Sequence, residues 1–71
     1  MKKESLTVGK RVKIAKLIAD YNGALYKGDE VTIFDWTNVA DMPDAYIIYI
    51  EDVHGRHHSV SLDDIEEMIK I

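Results

Sequence analysis

The stretch Ala45-Tyr46-Ile47-Ile48-Tyr49-Ile50-Glu51-Asp52-Val53-His54-Gly55-Arg56-His57-His58-Ser59-Val60-Ser61-Leu62 decides the fold. Its isoleucines, tyrosines and valines alternate with polar residues around one glycine, which predicts a hairpin with strands over 45–52 and 56–61. Tyr46, Ile48 and Ile50 share one face; Ile47, Tyr49 and Glu51 share the other. The length of the turn sets the register. A two-residue His54-Gly55 turn would place Ser59 against Ile50 and Ser61 against Ile48, putting serines among core isoleucines. A three-residue loop, Val53-His54-Gly55, puts glycine in the left-handed position of a type I turn with a G1 bulge. It sets Ile50 against His58, Ile48 against Val60 and Tyr46 against Leu62. On the outer face it sets Glu51 against His57 and Tyr49 against Ser59. The three-residue loop gathers the apolar residues on one face and is therefore the predicted turn.

Outward from this hairpin, further strands are expected at Arg11–Ile18, where Val12 and Ile14 alternate with polar neighbours, and at Glu30–Trp36. In the second of these Val31 and Ile33 would face in, and Thr32, Phe34 and Trp36 out. Residues 20–29 and 37–44 read as loops. Nine isoleucines and six valines among 71 residues favour strands over helices. Ser61 and Asp64 have capping-box spacing before Ile65, Met68 and Ile69, which predicts a short helix or helical turn near the C-terminus. The fold class is all-β.

A chain of 71 residues makes one small domain. Without cysteine it has no disulfide and no thiolate metal site. No apolar run approaches the ~20 residues that span a bilayer. The N-terminal lysines are not followed by the apolar stretch of a signal peptide. The expectation is a soluble cytoplasmic domain with no membrane partner. The net charge of −4 conceals an asymmetry. Lys2, Lys3, Lys10, Arg11, Lys13 and Lys16 against Glu4 alone give residues 1–16 a charge of +5. Three basic against twelve acidic residues give 17–71 a charge of −9. Residues 1–7 are read as a flexible basic arm and 8–71 as the folded domain.

The order of elements resembles an SH3-like small β-barrel of about five strands. The resemblance is carried by a long first loop leading into Tyr26-Lys27-Gly28-Asp29-Glu30-Val31. It continues in the 45–62 hairpin and in Leu62-Asp63-Asp64-Ile65-Glu66, where that fold places a helical turn and a last short strand. It covers roughly residues 8–70 and is closest to small stand-alone bacterial and phage barrels of unassigned role. Peptide-binding SH3 domains have a tryptophan pair and a Pro-Ser-Asn-Tyr turn where this chain has Ala45-Tyr46 and Leu62-Asp63-Asp64-Ile65. The resemblance therefore does not imply recognition of proline-rich peptides.

Several residue groups have the chemistry of a site. His54, His57 and His58 have the composition of a zinc site, but neighbours on a strand face opposite ways, so His57 and His58 cannot readily share one ion. Ser59 and Ser61 near His57 lack a pocket, an orienting group and an oxyanion site. No metal, no cofactor and no enzymatic activity are expected. Tyr26 is expected to cap one end of the core, with Tyr21 on the surface. The outer face of the central strands brings Phe34, Trp36, Ile47 and Tyr49 out of phase with the core set, and an apolar patch on a small domain marks an interface. With Tyr21 and the acidic loops at its rim, it predicts a non-catalytic module that binds another protein with a basic surface, self-association through the same face being one version. The competing reading is a nucleic-acid accessory protein that uses Lys2, Lys3, Lys10, Arg11 and Lys13.

Overall fold

The computed structural model describes residues 2–21 and 23–68. Among them the strands are β1 (Arg11–Ile14), β2 (Ile18–Asp20), β3 (Gly23–Leu25), β4 (Glu30–Asn38), β5 (Tyr46–Glu51), β6 (His57–Val60) and β7 (Ile65–Glu67). Single 3-10 turns occur at Lys3–Ser5 and Leu62–Asp64. Five strands form an antiparallel sheet in the order β6-β5-β4-β1-β7, and β2 pairs with β3 in a separate hairpin. The protein is therefore all-β. Among the described residues there are two sheets and no closed barrel, with β6 and β7 at opposite edges of the larger sheet.

The central hairpin has the three-residue loop. Ile50 lies opposite His58, Ile48 opposite Val60, Tyr49 opposite Ser59 and Glu51 opposite His57. The Asp52 N–H donates to the Arg56 carbonyl (2.9 Å) and the Gly55 N–H donates to the Asp52 carbonyl (3.1 Å), which closes the turn. Gly55 has φ of 80°, the left-handed conformation that a side chain makes costly. Tyr46 and Leu62 are not strand partners; both pack against the core from its margin.

Alternation places Val12 and Ile14 of β1, Val31 and Ile33 of β4, Ile48 and Ile50 of β5, Val60 of β6 and Ile65 of β7 on one buried face. Leu25 from β3 covers this face, and Leu6 closes the core from the N-terminal side. Leu6 falls within residues 1–7, so the segment assigned to an arm contributes a core side chain and a 3-10 turn.

Three differences from the sequence reading have physical reasons. The expected strand over 11–18 stops at Ile14, because the chain turns at Ala15–Leu17 and enters β2. Residues 20–29 are not simply a loop, since β2 and β3 pair within and before them, Ile18 with Leu25 and Asp20 with Gly23. In the tail, Ser61 and Asp64 do form a reciprocal turn: the Ser61 N–H (2.9 Å) and hydroxyl (3.0 Å) both donate to Asp64 Oδ2. Its continuation is strand β7 paired with β1, not a helix, because Ile65 is needed opposite Ile14 in the core. Ile69 lies outside the described residues.

Replacement of Ile48, fully buried, by Ala is expected to lower unfolding free energy by about 2–5 kcal/mol. The neighbouring Ile47→Ala, on the exposed face, is expected to cost less than about 1 kcal/mol. Urea denaturation of both variants measures the contrast.

Candidate functional site

β4 has nine residues, and only Val31 and Ile33, near its start, line the core; Phe34 to Asn38 are exposed. The phase changes at Phe34. Ile33 lies opposite Ile50, the next pair is Asp35 with Tyr49, and Phe34 is the extra residue of a β-bulge. Beyond it Trp36 lies opposite Ile48 and Asn38 opposite Tyr46. The outer half of the β4–β5 hairpin therefore projects past the core.

The bulge separates the four residues expected to form one patch. Directly opposed residues share a face, so Trp36 joins the Ile48 face and not the outer one. Its ring meets Tyr46, with centroids 5.7 Å apart. Phe34 stays on the outer face, against Tyr49 (6.1 Å) and His57 (4.3 Å). Ile47, opposite Thr37, also lies on the outer face. Phe34, Trp36 and Ile47 are each between 37% and 38% exposed and Met42 at the tip is 57% exposed. Tyr21 belongs to the β2–β3 turn and stands fully in solvent, on a different hairpin from the other four.

The tip is an ordered loop. The Asn38 side-chain amide donates to the carbonyls of Ala45 (2.9 Å), Pro43 (3.2 Å) and Met42 (3.4 Å). Asp41 adopts φ of 64°, which short polar side chains tolerate. From Asp29 to Gly55 there is no Lys or Arg, while Asp29, Glu30, Asp35, Asp41, Asp44, Glu51 and Asp52 are acidic. The aromatic hairpin thus sits in a strongly acidic part of the chain.

The basic side chains of residues 1–16 face carboxylates of the same chain. Lys10 pairs with Glu67 (2.6 Å), Lys16 with Asp64 (3.3 Å), Arg11 with Glu30 (3.9 Å) and Lys3 with Asp44 (4.0 Å). Lys13 lies opposite Glu30 on one side and Glu66 on the other. Lys2 is exposed. The hydrogen bond from Lys10 holds the Glu67 carboxyl below its usual range. Burial would raise the Asp64 carboxyl, but hydrogen bonds from Ser61 and the Lys16 ammonium lower it.

The three histidines have separate surroundings. His54 is in the turn, His57 stacks on Phe34, and His58 is core-facing with its side chain fully buried. His58 Nδ1 lies 2.9 Å from Asp20 Oδ2, and Nε2 lies 2.8 Å from Asp52 Oδ2. Asp52 accepts further hydrogen bonds from the backbone N–H of His54 (2.8 Å) and Arg56 (3.0 Å) and from Arg56 Nε (3.1 Å). A neutral imidazole has one N–H, so both ring contacts to ionised carboxylates require imidazolium. Two aspartates, one imidazolium and one guanidinium then balance in charge. Burial raises the Asp52 carboxyl, but the bonds from His58, Arg56 and His54 outweigh it and hold the carboxyl far below its usual range. Burial pushes the His58 imidazole down; hydrogen bonds to Asp52 and Asp20, with both carboxylate charges, outweigh it and raise the imidazole above its ordinary value.

Sequence reasoning missed this cluster, although a signal was present. Asp52 continues the phase of Ile48 and Ile50, and His58 stands directly opposite Ile50. Two in-phase polar residues on a core face must satisfy each other. Among the described residues no group of three His, Cys, Asp or Glu is arranged to hold a metal ion. A cleft of about 380 Å³ runs between the loop after β3 and the β5–β6 turn, lined by Leu25, Tyr26, Asp29, Glu30, Val53 and Arg56. Tyr26 is 62% exposed on this cleft and does not cap the core. It lies where it does because its N–H donates to Asp29 Oδ2 (2.9 Å), tying it into the turn.

No family model, no curated protein and no solved structure matches the chain. No helix among the described residues is long and apolar enough to cross a membrane.

His58 contributes stability that is complete below its unfolded value of about 6.5 and is lost as pH rises through its higher folded value. Asp52 contributes above its unfolded value and loses its contribution only in strong acid. Unfolding free energy measured in urea is therefore expected to decline as pH rises above about 6.5 and through the folded value of His58. His58→Gln, which leaves two carboxylates without their shared cation, is expected to cost about 3–5 kcal/mol where His58 is protonated and to abolish that decline.

Proposed function

We propose that this chain is a non-catalytic interaction module whose projecting β4–β5 hairpin docks on another protein with a basic surface. The observation that carries the proposal is the outer half of that hairpin. Phe34, Trp36, Ile47 and Met42 are exposed there, with Asp35, Asp41 and Asp44 on the same outer half and no Lys or Arg from Asp29 to Gly55. Large apolar side chains anchor a partner once desolvated, and single-sign charge around them selects a partner of the opposite sign. Two faces are presented: Trp36 with Tyr46 on one, and Phe34 with Ile47 and Tyr49 on the other.

We read the fold that presents this hairpin as SH3-like, of the kind found in small bacterial and phage barrels. Four features support the reading. β1 lies between β4 and β7; β4, β5 and β6 follow as a meander; the β2–β3 hairpin occupies the long first loop; and a 3-10 turn precedes β7. The nucleic-acid reading has less support, because Lys10, Arg11 and Lys16 already face carboxylates of the chain itself.

Selection of random peptides displayed on phage against the whole chain tests the proposal. Selected peptides are expected to combine Lys or Arg with large apolar residues, to bind more weakly as salt rises, and to shift amide NMR signals of residues 34–47. The double variant Trp36→Ser, Ile47→Ser is expected to weaken that binding by about tenfold or more while the dispersed spectrum is retained. Acidic selected peptides, shifts confined to other regions, or undiminished binding by the double variant would each overturn the proposal.

A further inference from the structure

The β2–β3 hairpin is not paired to the main sheet by a strand ladder. Among the described residues, two kinds of contact help to fasten it. Leu25 is buried in the core with Ile18 packed beside it, and the polar cluster around His58 reaches both of its strands. From β2, Asp20 accepts at His58 Nδ1. From β3, Gly23 lies beneath the Arg56 guanidinium so closely that a β-carbon there would be 2.5 Å from Nη1.

The two carboxylates on His58 are held unequally. The Asp52 side chain is 4% exposed and fixed by three donors besides the imidazole, two of them the backbone N–H groups of the turn. The Asp20 side chain is 32% exposed and can be rehydrated where it stands. When His58 gives up one proton, the ring keeps a single N–H. If that N–H stays on the deeply buried Asp52, Nδ1 presents a lone pair to the Asp20 carboxylate, and attraction becomes repulsion. The response falls to Asp20, the more exposed of the two carboxylates, which can turn to water.

We infer that the Asp20–His58 contact is a proton-controlled latch, closed on imidazolium and released on neutral imidazole, which loosens the β2–β3 hairpin against the β5–β6 hairpin while Leu25 stays in the core. The ionisable groups against His58 are Asp20 from β2 and Asp52 at the end of β5, with Arg56 reaching it through Asp52. The hydrogen bonds to Asp52 and Asp20 that raise the titration of His58 are those of the closed latch. Release also acts on the cleft beside Tyr26, because Ala24 and Leu25 form one wall of it and Asp52 and Arg56 the other.

NMR titration of the isotope-labelled chain from pH 5 to about pH 10 tests the latch. The imidazole signals of His58 report its protonation, and amide signals report each hairpin. Amides of residues 18–21 and 23–25 are expected to move with the His58 midpoint and to exchange faster above it. Amides of residues 48–51 facing β4 should stay protected. In Asp20→Asn the His58 midpoint should fall and the coupled movement of the hairpin should disappear. Hairpin amides indifferent to the His58 titration would overturn the inference. So would loss of both hairpins together, or an unchanged His58 midpoint in Asp20→Asn. The titration of the unaltered chain decides the matter if that variant does not fold.

Discussion

The carboxylate of Asp52 holds more of this molecule in place than any single apolar contact. It receives the backbone N–H groups of His54 and Arg56, which shape the β5–β6 turn. It receives the Arg56 side chain, which covers Gly23. It also receives the imidazole of His58, whose other nitrogen reaches Asp20 on a hairpin outside the main sheet. Turn geometry, strand register and the placing of the second sheet therefore meet at one buried charge. Such a charge is tolerated only when fully satisfied, since a small domain has little stability to spare against an unpaired ion. Four acceptor contacts and two cations meet that condition.

Much of the fold was legible in the sequence, because its core strands obey a period of two. The register of the β5–β6 hairpin followed from a single comparison: serines or a valine opposite Ile48. The positions of Val12, Ile14, Val31 and Ile33 followed from alternation. What alternation cannot reveal is a change of phase without a glycine or proline to mark it. The bulge at Phe34 is such a change; Phe34 looks like any outward aromatic in an alternating run. The β2–β3 hairpin was hidden for a related reason. Strands of three residues are too short to establish a pattern, and Tyr21, Asn22 and Gly23 read as loop.

The candidate site was legible in its parts and not in its arrangement. Phe34, Trp36, Ile47 and Tyr49 are exposed or half-exposed, as expected of residues out of phase with the core, but one extra residue sends Trp36 to the opposite face. Alternation separates His57 from His58 and so argues against a shared metal ion, but it does not say what each histidine does. Their actual difference is burial: His57 is a stacking surface and His58 an internal cation. The positive segment at the N-terminus was visible as charge, while its partners Glu30, Asp64 and Glu67 become apparent only once β1 is seen between β4 and β7.

The bulge at Phe34 also divides the molecule by its tolerance of change. On its near side every inward residue of β4 and β5 is committed to the core, and a substitution there is felt by the whole domain. On its far side Asp35 to Asp44 are held by the ladder and by Asn38 across the tip, and apart from Ile48 and Tyr46 the side chains there carry little of the folding free energy. Residues 35–44 can therefore be rewritten, one recognition surface replaced by another, with the scaffold beneath unchanged.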